Sequence, residues 1–338
     1  MLEQIQNTLD RQREAHRDFR EHLFEVRIER LEGERLTLAG KVLRGDDLQA
    51  LRQALTADFP QLQVDDSAVQ VLYRPDLPVW RAATNLTSLH REPSFHAELL
   101  TGILYGWTIQ VLEEQGQWGF VRLSDGYLGW TYLPYLTAEP APEPTHRVCA
   151  PVAVIHPAPD AASGAAGRVF AGTDVCLRET QGEWARIQAS RAGWVPLASL
   201  RPLDAPAPGA EELRRQMVAD AASLIGVPYL WGGVSANGID CSGLAQLVHS
   251  LAGIRLRRDA DMQYADGRPV DPPFRPGELV FFGEQGDLRV ITHVAVSLGG
   301  WQIIHSSRSR NGVYVDDIQA VEHLRQSFAG GCTYLPEE

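Results

Sequence analysis

The chain lacks several features, and each absence narrows what it can be. Its first residues, Met-Leu-Glu-Gln-Ile-Gln-Asn-Thr-Leu-Asp-Arg-Gln-Arg, hold no apolar core of signal-peptide length, and no later run is long enough to span a bilayer. The expected location is therefore the cytoplasm, with non-classical export as the alternative. No C-x-x-C pair occurs among the four cysteines, Cys149, Cys176, Cys241 and Cys332. Neither a disulfide framework nor a local zinc knuckle is expected, and Cys149, Cys176 and Cys332 are taken as small buried side chains. No basic stripe offsets a formal net charge of -12. A nucleic-acid or anionic-membrane partner is thereby excluded, and small cationic or neutral substrates suit the chain better. A length of 338 residues exceeds one ordinary domain, so two to four units are expected.

What is present is organised around Gly226-Val-Pro-Tyr-Leu-Trp-Gly-Gly-Val-Ser-Ala-Asn-Gly-Ile-Asp-Cys241-Ser-Gly-Leu. Glycines break the chain before Asp240, a favoured N-cap residue, and Cys241 falls in the first turn of the helix that follows. Leu244, Leu247, Val248 and Leu251 recur at helical spacing and mark a buried face that ends near Gly253. A thiol at a helix start meets unpaired N–H groups and the positive dipole end, which favour the thiolate.

The remaining chain divides by pattern. Residues 1 to about 22 suit a partly exposed helix. Strand-like alternation follows from His22 and again from Glu34, then helical spacing from Asp46 to Phe59, then a strand from Leu62. This order resembles the small BON-type module and gives a first segment over 1–68, equally suited to a structural cap. Residues 69–137 are short strands and turns holding Trp118 and the turn Asp125-Gly-Tyr127-Leu-Gly-Trp130. After a Pro/Ala/Glu linker, residues 145–203 repeat the order with Trp184 and Ala192-Gly-Trp194-Val. Both segments resemble bacterial SH3-like barrels, which bind peptides or pack on a neighbour. A second linker over 203–210 leads to a helix from about Glu211 to Leu224 and a last domain over 209–338.

A nucleophilic cysteine needs a base, and His293 and His305 lie in strand-like runs. If these form a hairpin with a three-residue loop over 298–300, Ser297 pairs with Trp301 and His293 with His305, the Cβ atoms about 5 Å apart. A two-residue Gly-Gly loop would set them on opposite faces. The first register is expected, because it gives Cys241 as nucleophile, His293 as base and His305 as the residue that orients it. Zinc binding by Cys241, His293 and His305 matches no familiar spacing, so no metal and no cofactor is expected.

Pro228-Tyr-Leu-Trp-Gly-Gly, Asp240-Cys-Ser-Gly-Leu, Arg258-Asp-Ala-Asp-Met-Gln, Pro276-Gly-Glu-Leu-Val-Phe-Phe, Thr292-His-Val-Ala and Ile304-His-Ser together resemble the NlpC-type cysteine peptidases of bacterial cell-wall peptides. With two SH3-like segments in front, the chain is similar to their γ-D-glutamyl-L-diamino acid endopeptidase branch, the dipeptidyl-peptidase VI group. The resemblance implies an α+β multidomain fold, with a papain-like catalytic domain behind two SH3-like barrels and a small α+β module. It implies hydrolysis of free murein peptides between γ-D-Glu and the diamino acid, releasing L-Ala-D-Glu during recycling.

It carries the nucleophile, base and third polar residue onto Cys241, His293 and His305, and an oxyanion tyrosine onto Tyr229, the other donor being the Cys241 N–H. It also implies that Tyr127, Asp240, Ser242, Asp259 and Glu98 recognise the free alanine amine. Ala260 stands where family members can carry a serine, removing one polar contact. The alternatives are another thiol amidase or acyltransferase on the same scaffold, or a non-catalytic peptide-binding SH3-like protein.

Overall fold

The computed structural model describes residues 1–206, 208–284 and 290–336. Residue 207, inside the linker expected over 203–210, and residues 285–289 and 337–338 of the domain expected over 209–338, lie outside the described residues. The chain falls into two compact units, one of residues 1–80, 92–95 and 108–134, the other of 81–91, 96–107 and 135–338.

In the first unit a helix, Leu2–Ala15, precedes a hairpin of strands Arg27–Glu32 and Arg35–Val42. The helix Gly45–Asp58 then returns the chain so that strand Gln63–Val71 pairs parallel to Arg35–Val42. The helical spacing of Leu48, Leu51 and Leu55 explains the packing, since all three are buried with Ile5, Leu9, Leu36 and Leu38 in one core. The Asp47 carboxylate accepts the Arg44 N–H at 2.9 Å and satisfies a donor at the helix start. The meander Thr108–Gln115, Trp118–Leu123 and Leu128–Tyr132 completes this unit.

The second unit contains a hairpin of strands Leu86–His90 and Leu99–Leu104. It also contains the second SH3-like segment, which the sequence suggested as a barrel. Its five-stranded sheet is open, in the order 192–196, 184–188, 174–181, 146–148 and 200–202. The 3-10 turn Leu197–Ser199 parts the last two strands in sequence. The ribbon Val152–Ile155 with Gly167–Phe170 is tied on by a His156–Trp194 bridge instead of closing the ring.

The catalytic part begins with helix α1, Ala210–Ala222, followed by α2, Cys241–Leu251, and α3, Ala260–Asp266. Its sheet is built from β1 Arg268–Val270, β2 Leu279–Gly283, β3 Ile291–Gly299, β4 Gln302–Ser307, β5 Gly312–Asp317 and β6 Phe328–Thr333, in the order β1-β6-β2-β3-β4-β5. All these pairings are antiparallel. The apolar stripe of α2, Leu244, Leu247 and Val248, packs with Phe281, Val294, Val296 and Ile304 of the sheet. Each such side chain contributes about 1.5–3 kcal/mol by leaving water. The second SH3-like segment is fastened to this body by Arg201, which grips Asp220 of α1 at 2.5 and 2.6 Å. Arg147 donates to the Ser250 carbonyl at the end of α2. Among the described residues no helix is long and apolar enough to cross a membrane.

Candidate active site

The helix start delivers the thiol as its first residue. Asp240 caps α2, its Oδ1 accepting the Gly243 N–H at 2.7 Å and its Oδ2 the Gly232 N–H at 2.8 Å. Both oxygens also receive Arg258, at 3.1 and 2.6 Å, which is 2% exposed. Arg258 further donates to Ser242 Oγ and to Thr101 Oγ1, both at 2.8 Å. Thr101 lies on strand Leu99–Leu104, so an SH3-like strand holds the arginine that holds the cap. The same strand's Gly102 N–H donates to the Gly232 carbonyl at 2.8 Å. Close approach explains two glycines here. A Cβ on Gly243 would stand 2.2 Å from the Gly233 carbonyl oxygen, and one on Gly232, at φ +76, 2.6 Å from that of Leu99.

His293 and His305 arrive on the β3–β4 hairpin, in a register that differs from the expected one. Ser297 pairs with Ile303 instead of Trp301, and Gly299 with Gln302, leaving the two-residue turn Gly300-Trp301. Gly299 and Gly300, at φ +119 and +64, supply the left-handed turn. A bulge at Leu298 adds the residue that keeps the histidines on one face. They therefore meet diagonally, with His293 Nε2 2.7 Å from His305 Nδ1. His305 Nε2 in turn lies 3.0 Å from Asp316 Oδ2 on β5, and Arg310 reaches Asp316 Oδ1 at 2.7 Å. The backbone N–H of Val294, next to His293, lies near enough to the Cys241 sulfur to favour its thiolate.

Electrostatics set the resting protonation. Burial, and then the Asp240 carboxylate, push the Cys241 thiol up to about 12, against the N–H groups of Val294 and Ser242 and the charge of Arg258. The helix start alone favours thiolate, but desolvation outweighs it here. Burial, then His305 and His323, bring His293 down to about 3. Burial also lowers His305, opposed by its bond to Asp316. Both groups therefore rest uncharged, Cys241 as thiol and His293 as neutral imidazole.

Tyr229 is half-buried, and burial, the Cys241 sulfur and the Asp240 carboxylate raise its phenol well above the usual range. It stays protonated near Cys241. Ser242 is buried against Arg258 and Asp240. Asp259 is half-buried at the N-cap of α3 without a side-chain cap bond, and Ala260 is buried beside it. Exposed Glu98 accepts from Trp231 Nε1 at 3.0 Å. Tyr127 is 4% exposed in the meander of the first unit. Of the other cysteines, Cys176 and Cys332 are buried and Cys149 is half-buried. Arg258, Thr101 and Asp316 escaped the sequence reading. The first sits inside a quoted motif, and the last follows period-2 alternation on the strand beside His305.

A thiol on a helix start and a linked pair of histidines on the antiparallel sheet are the groups a cysteine peptidase site needs. The NlpC/P60 family pattern matches residues 226–328, and that of the bacterial dipeptidyl-peptidase SH3 domain matches 89–131. Dipeptidyl-peptidase 6 of Lysinibacillus sphaericus is 30% identical over 270 residues, which cover 74% of this chain and 96% of the relative. Gamma-D-glutamyl-L-lysine dipeptidyl-peptidase of Bacillus cereus is 26% identical over 272 residues, 71% of this chain and 76% of the relative. The crystal structure of an NlpC/P60 family protein from Bacillus cereus shares the fold, with a TM-score of 0.67 at 22% identity, covering 76% of this chain and all of that one. The chain belongs to the NlpC/P60 family of cysteine peptidases.

Proposed function

We propose that the protein hydrolyses the bond between γ-D-Glu and the diamino acid of free murein peptides that keep an unblocked N-terminal L-Ala, releasing L-Ala-D-Glu during cell-wall peptide recycling. The observation that carries this reading is the SH3-like strand Leu99–Leu104 built into the nucleophile's cradle through Thr101 and Gly102. A wall at that end suits short free peptides better than chains still joined to glycan. The relatives' names, one of them specifying γ-D-glutamyl-L-lysine, support the same bond.

Cys241 attacks the γ-carbonyl as His293 takes the thiol proton, and the tetrahedral oxyanion is held by the Cys241 N–H and the Tyr229 hydroxyl. The first N–H groups of a helix have no partner inside it, which suits the Cys241 N–H to this role. His293 then returns the proton to the departing amine, and water releases the dipeptide from the thioester. On the amine side, Glu98 and Asp259 are assigned to the alanine ammonium. Asp240 already meets Arg258 with both oxygens, so its effect there is that of a fixed dipole.

Incubation with L-Ala-γ-D-Glu-L-Lys and its meso-diaminopimelate counterpart should release L-Ala-D-Glu. Turnover by Cys241→Ala, or products cut at another bond, would sink the assignment. Acetylating the alanine amine should remove most of the activity, and equal rates would end the free-amine reading.

A further inference from the structure

We propose that Asp316 is a positioning residue, which fixes the tautomers of both histidines and thereby turns the basic nitrogen of His293 toward the thiol. Asp316 is buried, with a side chain 7% exposed, and its two oxygens are divided between Arg310 and His305. A carboxylate can only accept, so the proton of neutral His305 sits on Nε2. Its Nδ1 then offers a lone pair to His293 Nε2, 2.7 Å away. That nitrogen must donate, leaving the lone pair of His293 on Nδ1. The chain of donors thus runs from His293 through His305 to Asp316 and is anchored by Arg310. Without a carboxylate at its end, either direction of proton placement would satisfy the two rings equally well.

The proposal rests on Cys241 and His293 as the reacting pair and not on which peptide is cut. Asparagine at this position would keep its oxygen toward Arg310, which only donates, and turn its NH₂ toward His305 Nε2. Both ring protons then move to Nδ1, and the nitrogen of His293 facing the nucleophile is blocked. Loss of the equivalent acid in a serine triad costs about 10⁴-fold in kcat, so Asp316→Asn should lower kcat by about 10²- to 10⁴-fold with little change in KM. Asp316→Glu, which keeps the carboxylate, should recover at least about tenfold of that loss.

Besides Cys241, the charged or titratable groups that act on the two rings among the described residues are Asp316, Arg310 and His323. Removing the one anion among them disfavours the imidazolium, so the acid limb of Cys241 alkylation by iodoacetamide should move to lower pH in Asp316→Asn. Alkylation needs no peptide, so a wrong substrate cannot be mistaken for a wrong tautomer. Nitrogen-15 spectra of the unaltered protein should show Nε2–H on both His293 and His305. Nδ1–H on either ring overturns the proposal, and this holds even if the variants fail to fold. So does a folded Asp316→Asn that keeps kcat within about threefold, or a Glu variant no better than Asn.

Discussion

Arg258 meets both carboxylate oxygens of Asp240, at 2.6 and 3.1 Å, directly beneath the residue that carries the thiol. The arginine is almost wholly buried, so removing it strands an anion at the helix start. Breaking a buried pair by deleting one partner costs about 3–5 kcal/mol. Arg258→Met should lose stability of that order in urea unfolding, and a loss below about 1 kcal/mol would show that water replaces the guanidinium.

The acid limb of activity should lie well below the ordinary histidine range. His293 must be neutral to accept the thiol proton, and burial brings its value down to about 3. Lowering the pH toward the usual histidine value of about 6.5 therefore leaves the base intact, and the loss comes only closer to the depressed value. Profiles of kcat/KM from about pH 4 upward decide this, since a limb centred near 6.5 means the base is not desolvated.

Gly243→Ala tests the close approach of α2 to the Gly232-Gly233 loop. The added carbon would meet the Gly233 carbonyl oxygen at 2.2 Å, and backbone cannot step aside as a side chain can. Overpacking of this kind costs about 1–3 kcal/mol, and the shift acts on the turn that carries Cys241. A lowered melting temperature together with a reduced kcat is expected.

Thr101→Val should impair catalysis although the residue belongs to an SH3-like strand. The substitution keeps the shape but removes the acceptor of the Arg258 Nε–H. An unpaired buried donor costs about 1–3 kcal/mol, more when it is charged. Unfolding and turnover measured on the same preparation check the coupling. Parental values in both would mean that the strand only lies alongside.

Much of the catalytic part was legible because local patterns decide it. Asp240 as cap, the stripe of Leu244, Leu247 and Val248, and the end of α2 at Gly253 follow from capping and helical period alone. The register of the histidine hairpin did not, because a bulge at Leu298 shifts the pairing by one residue and alternation carries no mark of it. Parity survived the error, so the two rings still share a face. Arg258 and Asp316 were hidden for a different reason. Their partners, Thr101 and Asp240 for the one and His305 and Arg310 for the other, are joined by tertiary packing that no spacing reveals. The open sheet of the second SH3-like segment was missed because alternation marks strands without saying whether a sheet closes.

The bond from Arg258 to Thr101 also bears on how this chain can be cut and recombined. An excised fragment over the family-matched residues 226–328 would begin long after Thr101 and expose a guanidinium with a missing acceptor at its centre. A portable unit that keeps this bond has to include the strand Leu99–Leu104 as well as the catalytic domain. Grafting that domain behind a foreign module should require a hydroxyl or carbonyl in the place Thr101 now fills, so inheritance of the site passes through both segments together.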